Sequence, residues 1–137
     1  MLEQAPMAQA EWDDLLAARA QDRPIDPVRL HKAVAQGVPA TVRASCWMKF
    51  SGAAEMKAAH VGLFQKLIDG QAKFANSSRT TTRDMAQIET DLRRSGGGDE
   101  AQLRSLRRVL QALCAYLPST AYVQGQNFIT AGLLREL

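Results

Sequence analysis

The chain has 137 residues, 17 of them basic and 14 acidic, for a formal charge of +3. A chain of this length is at most one ordinary domain and can bury roughly 65–70% of its unfolded surface in one core, so it needs no disulfide or metal staple. No apolar run approaches the roughly 20 residues of a membrane span. Cys46 and Cys114 each lie inside an apolar helical pattern with no signal peptide ahead of them, and read as reduced core thiols of a cytosolic protein.

Residues 1–10 are expected to form a flexible leader, with the domain occupying 11–137. Helical periodicity dominates from there on, and no run alternates apolar and polar residues as a strand would, so the fold class is all-α with about seven helices. The first is "AEWDDLLAARA", with Trp12, Leu15, Leu16 and Arg19 at helical spacing. Asp26 and Pro27 form an N-cap and N1 pair that opens a second helix through Val34, stopped by Gly37. "ATVRASCWMKFSG" is a third, with Val42, Cys46, Trp47 and Phe50 on one side, and both Trp12 and Trp47 are expected to anchor the core.

A fourth helix is expected over Ala53 to Ile68, followed by a polar connector, "GQAKFANSSRTTT". Thr81 and Asp84 have capping-box spacing, which predicts a fifth helix through Met85, Ile88 and Leu92 that ends before a flexible turn at Gly96 to Gly98. The sixth, "DEAQLRSLRRVLQALCAYLP", carries a continuous stripe of Leu103, Leu106, Val109, Leu110, Leu113 and Leu117. After Pro118 the chain turns, and an apolar seventh helix starts near Asn127 with Phe128, Ile129, Leu133 and Leu134. That helix calls for a partner, and the sequence reads as the first part of a longer domain.

Twelve of the 17 basic residues are arginine, and seven of these lie between Arg79 and Arg108. Asp84, Glu89, Asp91, Asp99 and Glu100 are interleaved with them, so the field is mixed and speaks against nucleic acid as a partner. His31 and His60 fall on different helices with no third ligand nearby, and no metal is expected. At about 100° per residue, Arg94 projects nearly opposite the stripe of the fifth helix, while Arg93 points sideways. Asp91, three residues earlier, is close enough to hold the Arg94 guanidinium in one orientation. Arginines in a last helical turn also complement the macrodipole, so this segment by itself leaves a structural role open.

Three motifs occur in order. "QGVPATVRASCW" carries Gly37, Pro39, Arg43 and Trp47; Ile88, Asp91 and Arg94 spell I-x-x-D-x-x-R; and Tyr122 and Gln124 spell Y-x-Q inside "AYVQGQNF". Together they resemble the N-terminal portion of the TBC domain family, whose members accelerate GTP hydrolysis by Rab-type small GTPases. Against that family's G-Y-C-Q-G-M-N-F the chain differs at Ala121, Val123 and Gln126, and keeps Tyr122, Gln124, Gly125, Asn127 and Phe128. The resemblance implies that Arg94 is an arginine finger and Gln124 a glutamine finger. It further implies that Asp91 and Tyr122 support them, with Ile88 and Asn127 in the same motifs, and that Arg43 and Trp47 are scaffold residues nearby.

On that resemblance the protein needs no cofactor of its own, since GTP and Mg²⁺ would be held by the partner GTPase; no G-x-x-x-x-G-K-[ST] loop occurs in the chain. The implied setting is the cytoplasm, with recruitment to endomembranes through the partner. Two other readings stand beside it: a TBC-like interaction module that binds a GTPase or adaptor without activating it, and an arginine-rich helical nucleic-acid binder.

Overall fold

The computed structural model describes residues 9–74, 79–94 and 99–137, and at 71–74 and 79–82 it describes the backbone alone. The leader expected over 1–10 and the turn expected at Gly96 to Gly98 fall largely or wholly outside the described residues. Among these there are eight helices and no strand: α1 Gln9–Ala20, α2 Pro27–Gln36, α3 Ala40–Phe50, α4 Ala53–Ala59, α5 Leu63–Phe74, α6 Arg79–Leu92, α7 Glu100–Tyr116 and α8 Gln126–Glu136. No helix among the described residues is long and apolar enough to cross a membrane.

The chain divides into two compact units, the first ending at His60 and the second running over Val61–Arg135. The single core expected from length is accordingly two clusters, each built from helices close in sequence. In the first unit Trp12, Leu15, Leu16, Ala33, Val42 and Cys46 are buried together, where α1 packs on α3. Arg29 reaches Asp14 at 2.9 Å, and Arg19 reaches Glu55 at 2.9 Å, tying α2 to α1 and α1 to α4. Asp26 caps α2 as the sequence predicts, its carboxylate accepting from the Val28 N–H at 3.0 Å.

In the second unit α5 and α6 both pack against α7. Ile88, Leu92, Leu106, Leu110 and Cys114 make its core, with Met85, Tyr122 and Ala131 against them. Asp99 caps α7 by accepting from the Gln102 N–H at 2.8 Å. Glu89 takes Arg107 on both oxygens, at 2.6 and 3.0 Å, clamping α6 to α7. The Arg108 guanidinium sits 5.6 Å from the centre of the Phe64 ring, joining α7 to α5.

Three expectations are corrected. The single helix from Ala53 to Ile68 is two, because His60 leaves helical geometry and Gly62 adopts φ +75°, a left-handed conformation that glycine takes without penalty. The His60 ring helps close α4, its Nδ1 lying 2.9 Å from the Met56 carbonyl. The polar connector is also shorter than expected. α5 continues through Gly70 to Phe74 because Gln71, Ala72 and Lys73 are good helix formers that offset one glycine costing about 1 kcal/mol. α6 opens at Arg79, so Thr81 lies inside its first turn and is not the N-cap. Third, Trp47 is not a core anchor: it is 38% exposed, whereas Trp12 is fully buried.

Candidate functional site

α6 ends at Leu92, and the chain leaves it through a turn in which the Arg94 N–H donates to the Asp91 carbonyl at 3.0 Å. Asp91 lies one turn earlier on the inward side of the helix, beside the fully buried Ile88, and is 2% exposed. A buried carboxylate must be matched by donors or it destabilises the fold. Here one oxygen, Oδ1, faces the Arg94 guanidinium at 3.5 Å, and the other, Oδ2, accepts from the Tyr122 hydroxyl at 3.0 Å. Arg94 keeps 64% of its side chain in solvent, so the pair orients the guanidinium without burying it. An ion pair this exposed contributes at most about 1 kcal/mol to stability.

Tyr122 comes from the loop between α7 and α8, 31 residues from Asp91 in sequence. Its phenol is pushed up to about 12, first by burial, then by the hydrogen bond and the charge of Asp91; a bond from the Asn127 backbone N–H acts the other way. The neutral hydroxyl is therefore a firm donor to Asp91. Asn127, buried at the start of α8, places its side-chain amide nitrogen 3.4 Å from the Asp91 carbonyl.

The loop that carries Gln124 is shaped by two left-handed residues, Ala121 at φ +57° and Gly125 at φ +101°. The Ala121 N–H returns to the Leu117 carbonyl at 2.9 Å. The Gln126 side-chain oxygen accepts from the Val123 N–H at 3.1 Å, a bond that methionine at this position could not make. Between these two anchors Gln124 and Val123 are exposed.

The structure thus brings Ile88, Asp91, Arg94, Tyr122 and Asn127 together and places Gln124 in the loop between Tyr122 and Asn127. Arg43 and Trp47 lie on α3 in the first unit. Arg43 braces its own segment, its Nε and Nη2 donating to the Val38 carbonyl at 3.3 and 3.1 Å. The bond from Gln126 and the left-handed Ala121 escape sequence reasoning; the departure of both positions from the family pattern is the signal that marks them. The two cysteines are free and buried, and burial pushes the Cys114 thiol up to about 11, far from a reactive thiolate. A groove of about 590 Å³ between α7 and α8, floored by Leu103, Leu106, Ala131 and Leu134, is lined by Phe128 of the third motif but by neither Arg94 nor Gln124.

What the arrangement can do is present an exposed, oriented guanidinium and an exposed amide from one buttressed patch. Comparison with known proteins identifies the family. The Rab-GTPase-TBC domain model matches residues 40–137. The chain is 34% identical over 117 residues to GTPase-activating protein MSB4 of Saccharomyces cerevisiae, covering 77% of this chain and 23% of that protein. It is 32% identical over 120 residues to GTPase-activating protein GYP3 of the same yeast, covering 77% and 19%. With Small G protein signaling modulator 3 of Bos taurus it shares 33% over 134 residues, covering 90% and 16%. The chain therefore spans less than a quarter of the length of these curated relatives. No solved structure matches it. With motif order, helical architecture and a family match over residues 40–137 in agreement, the chain belongs to the Rab-GTPase-TBC domain family.

Proposed function

We propose that this chain activates GTP hydrolysis by a Rab-type small GTPase, with Arg94 as the arginine finger and Gln124 as the glutamine finger, both supplied in trans. The observation that carries the reading is the buried Asp91, which receives the side chain of Arg94 on one oxygen and that of Tyr122, two residues before Gln124, on the other. Hydrolysis spreads negative charge over the transferring phosphoryl group, and a planar, permanently charged guanidinium stabilises it better than an ammonium. A neutral amide accepts from the attacking water and donates to a phosphate oxygen at once. In this reading the nucleotide and Mg²⁺ belong to the partner, and any recruitment to endomembranes occurs through it.

The nucleic-acid reading is weakened because two of the arginines that suggested it are engaged within the fold, Arg107 by Glu89 and Arg108 by the Phe64 ring. The test is single-turnover GTP hydrolysis by a panel of GTP-loaded Rab-type GTPases with the chain and its variants. At least one member is expected to be accelerated. Arg94→Ala should then remove roughly 10³-fold or more of the acceleration, and Gln124→Ala roughly 10²-fold or more. Folded protein that accelerates no member rules the proposal out, and binding without acceleration would identify a TBC-like interaction module instead.

A further inference from the structure

Resting on the reading of Arg94 and Gln124 as paired fingers, we propose that Asn127 is a positioning residue that locks the Arg94 turn and the Gln124 loop into one register through Asp91. Asn127 is 1% exposed at the second residue of α8 and makes contact with the other segment by two routes. Its side chain faces the Asp91 carbonyl at 3.4 Å, and since a carbonyl can only accept, the NH₂ end of the amide must be the end that points there. Its backbone N–H bonds to the Tyr122 phenol oxygen, whose proton goes on to Asp91.

The second route has a reason in helix chemistry. The first N–H groups of any helix lack intrahelical acceptors, and α8 begins at Gly125, which offers no side chain to cap them. The Tyr122 oxygen supplies one acceptor, so the loop is drawn onto the helix start that follows it. Both routes end on Asp91, which also receives the Arg94 N–H on its carbonyl and the Arg94 guanidinium on its carboxylate. Two segments 36 residues apart in sequence are thereby joined, with Arg94 three residues past the junction on one side and Gln124 three residues before it on the other. The Asn127 side chain itself is buried, so it would set the two fingers without meeting a partner.

The test is amide hydrogen exchange of the whole chain by NMR, comparing Asn127→Ala with the unsubstituted protein. Exchange is expected to quicken about tenfold at the Arg94 N–H and, by a similar factor, at the Ala121 and Gln126 N–H groups, while amides in the middle of α7 stay within about twofold. A uniform rise across the second unit, or a rise in one segment without the other, overturns the proposal. Tyr122→Phe, which keeps the ring but removes the second route, decides the matter if Asn127→Ala does not fold: both segments loosening together supports the lock, and either alone refutes it. With a GTPase that the chain accelerates, Asn127→Ala should lower kcat about tenfold and leave KM within twofold, whereas a loss carried mainly in KM would count against positioning. If the chain accelerates no GTPase, the finger reading fails by itself and the exchange pattern still decides whether Asn127 couples the two segments.

Discussion

Ala121 shows how much a single residue can hold in reserve. At φ +57° its β-carbon crowds the following carbonyl, a conformation costing about 1–2 kcal/mol for an L-residue with a side chain. Glycine would remove that strain but lose more backbone freedom on folding, so Ala121→Gly is expected to stabilise the protein by about 0.5–1 kcal/mol, read from the urea midpoint at constant m. The pairing of Asp91 with Arg94 was legible in the sequence because it is local: the two stand three residues apart across the end of α6, within reach of each other. The reach of Tyr122 and Asn127 to Asp91 was legible only as a family motif, since nothing in local periodicity reports a contact across 31 or 36 residues. Trp47 was misjudged because aromatic content indicates average burial, whereas the position of a side chain on its helix decides the case.

At the scale of elements, capping chemistry separates what the sequence shows from what it hides. Asp26 before Pro27 marks a helix start by a group that acts within three residues, and that cap forms; Asp99, read from the sequence only as the head of the sixth helix, caps α7 in the same way. Asp99→Ala removes the acceptor for the Gln102 N–H and should cost about 1 kcal/mol, measured by urea denaturation followed by helical circular dichroism. Thr81 and Asp84 have the same kind of spacing without starting a helix, because the segment before them is already helical from Arg79. The break between α4 and α5 was hidden for a related reason. Apolar residues continue on both sides of it, and only the left-handed backbone at Gly62 parts the two helices. Glycine permits that conformation and also tolerates a helix, as Gly70 does inside α5, so composition alone cannot distinguish the two outcomes.

For the molecule as a whole, pH reports on the second unit. The Cys114 thiol, ordinarily at 9.0, is pushed up to about 11 by burial and then by the charge of Asp84. The Tyr122 phenol, ordinarily at 10.0, is pushed up to about 12, again mainly by burial and then by Asp91. Both groups ionise more readily in the unfolded chain, which therefore binds fewer protons at high pH. Their contribution to stability is fully present below pH 9 and is lost as pH rises to about 12. Urea midpoints should accordingly fall across that window. Tyr122→Phe should flatten the part between about 10 and 12 while leaving the onset near 9, which belongs to the buried thiols of Cys114 and Cys46, the latter also pushed up by burial; a profile unchanged by Tyr122→Phe would remove Tyr122 as the cause. All-α character was plain at this scale because helical periodicity recurs along the chain. The division into two cores was not, because periodicity says that each helix has an apolar face and nothing about which helix covers it.

The bond from Gln126 to the Val123 N–H closes the Gln124 loop on itself. Its consequence lies in the entropy of association. Ordering a residue's backbone costs about 1–2 kcal/mol, and a loop that is loose in the free protein defers that cost to the moment of encounter. Here the cost falls during folding, so a molecule that meets this loop has the exposed side chains rather than the backbone left to immobilise, at about 0.5–1.5 kcal/mol each. The loop is preorganised by a side chain three residues from its own beginning.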